Sequence, residues 1–425
     1  MATGEGTLLS GVPFIYLNDF APSRVVSYGD AVRIVWEHAD GLAGTRPQST
    51  SLLDSLGRVL AEPVHADRDQ PPFPRSTRDG FACRAADVVA GLTLQVAGSI
   101  RAGESWAGAA IAAGQAIEIM TGAPVPAGAD CVVMIEHVRR QQDTLRLMPG
   151  RSIACGENVV PRGAEARAAD VILPRGTRLS AAHVGAAASC GAAQLSVFTR
   201  PRVAIVATGD ELVEVDEQPL IHQIRNSNSY SLAAQVLAAG ATPVRLPMAR
   251  DERGHLDSIL RSALETDLML LSGGVSMGKY DLVEEVLLAM GAELFFTGAL
   301  IQPGKPVVFG KVGSVYFFGL PGNPVSTMVT FSLFVEPLLG ALCGEPARGP
   351  RFTQARLKGE VRVQAGLTRF LPAALRSAFT EVTVELIAWQ GSGDLAAASR
   401  SNCFLVVPAD RPQIAAGETV TVLLA

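Results

Sequence analysis

Residues 267–281 read DLMLLSGGVSMGKYD, and the fold prediction starts from this stretch. The apolar run 267–271 is long enough for one buried strand and too short for a helix. Residues 272–278 contain three glycines and two serines, which is typical of a loop whose backbone N–H groups converge on an anion. A helical pattern follows over 281–291 and ends at a glycine. Strand, glycine-rich turn and helix in this order build the phosphate sites of α/β proteins, although a tight turn without a ligand fits the stretch alone equally well.

The composition restricts the class of protein. A chain of 425 residues with 48% hydrophobic and 18% charged residues is typical of a globular protein of about three domains. The net charge of −5 argues against a nucleic-acid partner and against binding to an anionic membrane. The six cysteines are scattered without a C-x-x-C pair, which predicts reduced thiols. No stretch reads as a signal peptide or a membrane span, so we expect a cytoplasmic protein.

The predicted fold class is multidomain α/β plus β. It combines a central, doubly wound, mostly parallel α/β domain, an inserted small β domain, an elongated helical and extended domain, and a C-terminal small β-barrel-like domain. Within 28–65, helical spacing predicts one helix that buries Ala31, Ile34 and Val35 and a second that buries Leu52 to Leu60. The predicted boundaries are a flexible N-terminal arm (1–27), a discontinuous helical and extended domain (28–75 with 151–200), the small β domain (76–150), the α/β domain (201–345) and the C-terminal β domain (346–425).

Polar turns follow the strand-like runs of the α/β segment. Since the carboxyl ends of parallel strands meet at one edge of a sheet, we expect these turns to lie together and to form a ligand site. In chain order the turns are 208–212, 250–252, 272–278, 302–306 and 320–326.

The residue types in these turns indicate the chemistry. Groups that suit a phosphate or another oxyanion are the amides of residues 273–274 and the side chains of Ser272, Ser276 and Lys305. Hard oxygen donors that suit Mg²⁺ bridging phosphates are Glu211, Asp251 and Asp281. Each carboxylate alone is compatible with a helix cap or a solvated charge, whereas the set favours a site.

Several longer motifs resemble those of the molybdopterin molybdenumtransferase family, MoeA, which is related to the C-terminal domain of gephyrin. They are DGFA (79–82), MTGAPVPAGAD (120–130), ATGDEL (207–212), SGGVSMGKYD (272–281), QPGKP (302–306), GLPGNPVS (319–326) and, in the closing β domain, QGSGDL (390–395). The resemblance implies insertion of molybdate into adenylylated molybdopterin with release of AMP, assisted by Mg²⁺. It also implies an elongated four-domain homodimer that makes transient contact with a molybdopterin adenylyltransferase.

The resemblance also implies the site residues. The implied catalytic residues are Asp79 and Thr121, supplied across the dimer, with Glu211, Asp251, Asp281 and Lys305. The implied metal ligands are Glu211, Asp251 and Asp281. The implied substrate-binding residues are Arg162, Glu165, Thr208, Gly209, Asp210, Ser272, Gly273, Gly274, Ser276, Lys279, Pro303, Gly304, Pro321, Gly322, Asn323, Pro324 and Ser326.

Four departures from the family pattern bear on molybdate affinity more than on the fold. Arg78 stands where the family usually has Met, and the common R-x-G-E-D turn reads RGAE over 162–165, so that Ala164 replaces an acid. Gln302 stands where a lysine is often found. The stretch 367–372 has Arg369 directly before Phe370 and Pro372 where a second arginine often follows.

Two rival functions stay open from the sequence. An adenylyltransferase-like nucleotide-binding protein would share the α/β domain, but such proteins lack the β insertion that carries Asp79 and Thr121. A non-catalytic scaffold or degenerate paralogue would share the whole fold, and the retained acids and Lys305 argue against it. The sequence leaves the choice between molybdate and tungstate open.

Overall fold

The computed structural model describes residues 24–89, 91–250, 252–274 and 282–425. Four of the predicted site residues lie outside the described residues, namely Asp251, Ser276, Lys279 and Asp281, and so does most of the predicted N-terminal arm. The described chain divides into two compact units. One contains the described residues up to Thr45 together with Arg200–Ala425, and the other is Arg46–Thr199.

A six-stranded sheet forms the centre of the first unit. The predicted strand at 267–271 is Leu268–Ser272, which is buried along its whole length and pairs in parallel with a strand on either side. Burial on both faces explains why its sequence is continuously apolar. The strand order is Thr242–Arg245, Arg202–Ala207, Leu268–Ser272, Val315–Leu320, Val308–Val312 and Glu293–Phe296, and each of the last two is antiparallel to the strand before it.

Helices cover both faces of this sheet. Successive strand residues point to opposite sides, so a continuously apolar strand presents apolar side chains on both faces. Val203 and Ile205 face one hydrophobic core, whereas Ala204 and Val206 face the other. The helices in the first core are Tyr28–Asp40, Asn228–Ala238 and the composite helix Pro324–Leu342. The helices in the second core are Arg253–Ala263 and Leu282–Ala289. This arrangement confirms the doubly wound α/β prediction.

The helix Pro324–Leu342 is the one helix among the described residues that is long and apolar enough to cross a membrane. Its apolar window is 83% buried inside the molecule, where Val329 and Phe334 belong to the core. The apolar composition is therefore explained by packing on the sheet.

A small barrel forms the C-terminal part of the first unit. Its strands are Phe352–Leu357, Thr368–Ser377, Val382–Leu386, Cys403–Val407 and Thr419–Leu424. Pairing of Thr368–Ser377 with Cys403–Val407 closes the ring and removes exposed edges. The short strand Ile301–Gln302 joins the same sheet, and this connects the barrel to the turn at 302–306.

The second unit contains the predicted small β domain. Its six-stranded sheet has the order Cys131–Met134, Gly80–Cys83, Gln115–Ile119, Leu94–Ile100, Thr144–Leu147 and Val138–Gln141. The flanking segments pair with each other, as Pro47–Ser51 with Gln194–Phe198, Val64–His65 with Val171–Leu173, and Arg75–Ser76 with Val159–Val160. The predicted alanine-rich helix is Ala181–Ser189, capped by Ser180. All six cysteines are free, as predicted.

Two expectations for the N-terminal segment were wrong. The second helix does not form, since Leu52 follows the strand Pro47–Ser51 and leads into turns in which Leu53 is 81% exposed. Gly57, with φ of +72°, then departs from helical backbone. The first helix forms as predicted, but Ala31 and Ile34 pack in the α/β core, so residues 28–45 belong with the α/β unit and not with 151–200.

Phe309 tests the core of the first unit. Its ring is fully buried and stacks on Phe318 with 4.5 Å between ring centroids. We expect Phe309→Ala to lower the free energy of unfolding by about 3–5 kcal/mol, because the lost ring leaves a cavity. Urea unfolding followed by circular dichroism measures this change. The control is Phe379→Ala at a fully exposed ring, which should change the value by less than about 0.5 kcal/mol; equal losses would contradict the assigned core.

Candidate functional site

The carboxyl ends of the central parallel strands meet, as the turn sequences predict. Thr208 donates its backbone N–H to the carbonyl of Ser272 over 3.0 Å, and Gly273 donates to the carbonyl of Leu320 over 3.2 Å. A bridge between Thr208 and Ala249 brings a fourth strand end to the same edge. Three of the predicted turns therefore begin within hydrogen-bonding distance of one another.

Two adjoining cavities of about 290 and 470 Å³ lie at this edge. We call them the first and the second cavity, and together the strand-end groove. The residues that line both are Thr208, Glu211, Ile224, Gly273, Gly322 and Asn323. The first is also lined by Leu212, Arg225, Asn226, Ser227, Asn228, Ser272, Pro324, Gly393 and Leu395. The second is also lined by Gly209, Gly274, Pro306 and Pro321.

Most of the described α/β residues that we predicted for the site line this groove. Those that do not are Asp210, Pro303, Gly304, Lys305 and Ser326. Lys305 is exposed and directly precedes Pro306 of the second cavity. A Cβ atom at Gly304 would lie 2.6 Å from Cγ2 of Thr330, so this turn packs closely on the helix that follows the groove.

The glycines at 273 and 274 are required by space as well as by backbone angle. Their φ values are +87° and +63°, a region that favours glycine. A Cβ atom at Gly274 would lie 2.5 Å from Oγ1 of Thr208 and 2.7 Å from Cγ2 of Val283. The amide of Gly273 is bonded to Leu320, so this N–H is not free for an oxyanion, contrary to the prediction for that residue.

Glu211 is the carboxylate of the predicted metal set that the structure describes. Its side chain is exposed, lines both cavities and lies over Gly209, where an added Cβ atom would be 2.5 Å from Oε2. The described residues contain no group of three His, Cys, Asp or Glu side chains that could hold a metal ion. The other two predicted ligands lie outside the described residues, so the Mg²⁺ site stays a prediction.

Two segments of the groove were not assigned from the sequence. Asn228 begins the helix Asn228–Ala238, and Asn226, two residues earlier, caps one of its first N–H groups by accepting from Ser229. A cluster of polar residues before a helical run is the signal that indicates such a cap. Gly393 and Leu395 come from the C-terminal domain and belong to the QGSGDL motif (390–395), for which the sequence predicted no site residue.

The predicted residues of the second unit form separate side-chain pairs. The carboxylate of Asp79 accepts the backbone N–H and the hydroxyl of Thr121, each over 2.7 Å. Two motifs 42 residues apart thus meet. The other pairs are Arg162 with Asp69 and Glu165 with Arg75, each at 2.7 Å.

Among the departures from the family pattern, Gln302 and Arg369 contact each other. The guanidinium of Arg369 donates to Oε1 of Gln302 and to the carbonyl of Gln364, so a positive charge lies beside the position where the family often has a lysine. Pro372 is buried in the barrel opposite Phe404. Arg78 and Ala164 are exposed.

Comparisons with known proteins agree with this geometry. Three family models match successive parts of the chain: the MoeA N-terminal region (domain I and II) over residues 26–191, a probable molybdopterin binding domain over 204–341, and the MoeA C-terminal region (domain IV) over 354–425. Matches on both sides of the α/β domain argue against the adenylyltransferase-like rival.

Individual relatives cover nearly the whole chain. A molybdopterin molybdenumtransferase of Haemophilus influenzae is 32% identical over 394 residues, which is 89% of this chain and 94% of the relative. One from a Nostoc species is 34% identical over 393 residues, with 88% and 89% covered. The crystal structure of a molybdopterin biosynthesis MoeA protein from Pyrococcus horikoshii is similar with a TM-score of 0.78, at 28% identity over 95% of this chain and all of that one.

The close approach at Gly274 can be separated from its backbone strain. Gly274→Ala and Gly313→Ala both place alanine at a positive φ, +63° and +59°, but only the first meets neighbouring atoms. We expect Gly313→Ala to lower the free energy of unfolding by about 1–2 kcal/mol from strain alone. Gly274→Ala should cost about 1–3 kcal/mol more because of overpacking. Urea unfolding of both variants measures the difference, and equal losses would show that Thr208 and Val283 yield without cost.

The bond between Asp79 and Thr121 can be measured by titration. The backbone N–H of Thr121, and then its hydroxyl, lower the pKa of Asp79 below 3.8. Stabilisation by this carboxylate is present above the unfolded-state pKa and is lost as the pH falls through the lowered folded-state value. Thr121→Val removes only the hydroxyl, so the pKa of Asp79 should move back toward 3.8 in a carboxyl-carbon NMR titration. The control is Asp394, whose pKa is lowered by the N–H groups of Ala397 and Gln390 and should not change in this variant. If the pKa of Asp79 also stays unchanged, the hydroxyl of Thr121 does not contribute to lowering it.

Proposed function

The chain belongs to the molybdopterin molybdenumtransferase (MoeA) family of molybdenum cofactor biosynthesis, and we propose that it inserts molybdate into adenylylated molybdopterin and releases AMP. The observation that carries the proposal is the strand-end groove, which gathers Thr208, Glu211 and Ser272 beside glycine turns. In the balanced reaction the phosphoanhydride bond breaks and the two thiol sulfurs of the pterin replace two oxygen atoms on molybdenum. One of these oxygen atoms is added to the phosphorus of the departing AMP, and the other leaves as water with the two thiol protons.

We propose that Mg²⁺ assists this step from the side of Glu211, with Asp251 and Asp281 as further ligands. Carboxylate oxygens are the ligands that Mg²⁺ prefers, and the exposed Oε atoms of Glu211 face the groove. The ion would neutralise negative charge that develops on the leaving phosphate. Lys305 and Lys279 are the proposed cationic partners of the anionic substrates.

The proposed protein is a cytoplasmic homodimer in which Asp79 and Thr121 serve the groove of the other copy. Oδ1 of Asp79 accepts both bonds from Thr121, whereas Oδ2 accepts none from the described residues, so the pair can still bind a ligand. Transient contact with a molybdopterin adenylyltransferase would deliver the adenylylated substrate. Within the second unit we propose that the predicted extended domain (28–75 with 151–200) is limited to 46–75 with 151–199, and that the small β domain keeps its predicted bounds of 76–150.

The function is tested by AMP release from adenylylated molybdopterin with Mg²⁺, with and without molybdate. We expect release that depends on molybdate and falls on the order of 100-fold in Glu211→Gln and Asp281→Ala, because each loses a charged metal ligand. Glu217→Gln, at an exposed acid of the same connecting segment that does not line the groove, is the matched control. Absence of release from the wild type, or equal rates in all variants, would overturn the proposal.

A further inference from the structure

We propose that Asn228 is a positioning and specificity residue. Its Oδ1 atom, together with the hydroxyl of Thr208, selects the heterocyclic end of the ligand by accepting hydrogen bonds from the N–H groups of the heterocycle. The proposal rests on the proposed function in one respect, that the groove takes a ligand with a heterocycle at one end and phosphate next to it. No role for Asn228 follows from the sequence motifs.

The orientation of the Asn228 amide is fixed by its partners. Nδ2 donates to Oγ of Ser272 over 2.9 Å and to the carbonyl oxygen of Gly322 over 2.8 Å. A carbonyl oxygen can only accept, so the nitrogen must face Gly322 and Oδ1 must face away from it. Asn228 therefore links the turns that follow two neighbouring strands of the sheet.

Two residues that line the first cavity each have a buried oxygen without a hydrogen-bond partner among the described residues, Oδ1 of Asn228 and Oγ1 of Thr208. Thr208 is only 3% exposed. An unpaired buried polar atom costs about 1–3 kcal/mol, so both atoms favour a ligand that satisfies them. The amide oxygen has no hydrogen to give and can bind only an N–H or O–H donor.

The hydroxyl of Ser272 adds the opposite preference. Because it accepts from Asn228, its own hydrogen is directed to a different acceptor. The residues that line the first cavity thus offer an acceptor at Asn228, a donor at Ser272 and, at Thr208, a hydroxyl that can both accept and donate. A heterocycle with ring N–H or amino groups next to ring acceptors matches this set, whereas an ionised phosphate offers only acceptors and is disfavoured by Oδ1. In the proposed substrate this chemistry occurs twice, in the pterin and in adenine.

Binding of three small probes tests the selection. Dissociation constants for 6-hydroxymethylpterin, adenosine and pyrophosphate are measured by ligand-observed NMR on the full chain. We expect Thr208→Val and Asn228→Ala each to raise the dissociation constant of one of the two heterocycles about tenfold, because a hydrogen bond to a buried group is lost. The dissociation constant of pyrophosphate should change by less than about twofold. Thr266→Val is the matched control. The hydroxyl of Thr266 donates to the carbonyls of Ala263 and Leu268, at the end of the strand Leu268–Ser272 that is remote from the groove.

The outcomes are separable. Loss of pterin binding assigns the cavity to the pterin, and loss of adenosine binding assigns it to adenine. Equal weakening of pyrophosphate, unchanged heterocycle binding, or a wild type that binds neither heterocycle would overturn the proposal. Molybdate-dependent AMP release from the same preparations reports on the proposed function separately, so failure of one does not imply failure of the other.

The positioning role has its own readout in kcat/KM for adenylylated molybdopterin. If Asn228 acts through Ser272, the loss in the double variant Asn228→Ala with Ser272→Ala should be less than the product of the two single losses. Multiplicative losses would show that Asn228 does not act through Ser272 and would overturn this part of the proposal.

Discussion

The groove depends on the close approach of three strand ends, which leaves no room for a side chain after the central strand. The carbonyl oxygen of Thr208 would lie 2.5 Å from a Cβ atom at Gly273, and its hydroxyl would lie 2.5 Å from one at Gly274. Two glycines at positive φ let the chain turn away from the sheet at this point. The same constraint buries Thr208 and leaves its hydroxyl without a hydrogen-bond partner among the described residues.

Much of the fold could be predicted because burial leaves a simple trace in the sequence. Continuous apolar runs gave the parallel strands, and the strand-end rule placed their turns together. The errors arose where spacing was ambiguous. The spacing of Leu52, Leu53 and Leu56 matches a helix, but no helical face is buried there and Leu53 points to solvent. Spacing around Ala31 correctly predicted a buried face, yet it contains no information on which core receives that face.

The site could be predicted less completely because side chains have alternative partners. Asp79 and Thr121 meet although they lie in distant motifs, and nothing in the spacing shows this. Arg162 and Glu165 are each paired with another charge, Asp69 and Arg75, so motif identity alone overstates how free they are. Asn228 was missed because it belongs to a helix start and not to a strand end.

Some of the backbone N–H groups around the first cavity are already hydrogen-bonded. At the first cavity, Pro324 has no N–H, the amide of Val325 donates to the carbonyl of Ser392 over 3.0 Å, and that of Gly273 donates to Leu320. The helix that starts at Pro324 therefore does not present its first free amides to a ligand, because the C-terminal domain has used one of them. With the amides of Gly273 and Val325 engaged and the oxygens of Asn228 and Thr208 unpaired among the described residues, the first cavity suits a group that brings donors of its own. If the groove binds adenylylated molybdopterin as proposed, the phosphates, which bring only acceptors, fit the second cavity, beside Gly274 and the turn that carries Lys305.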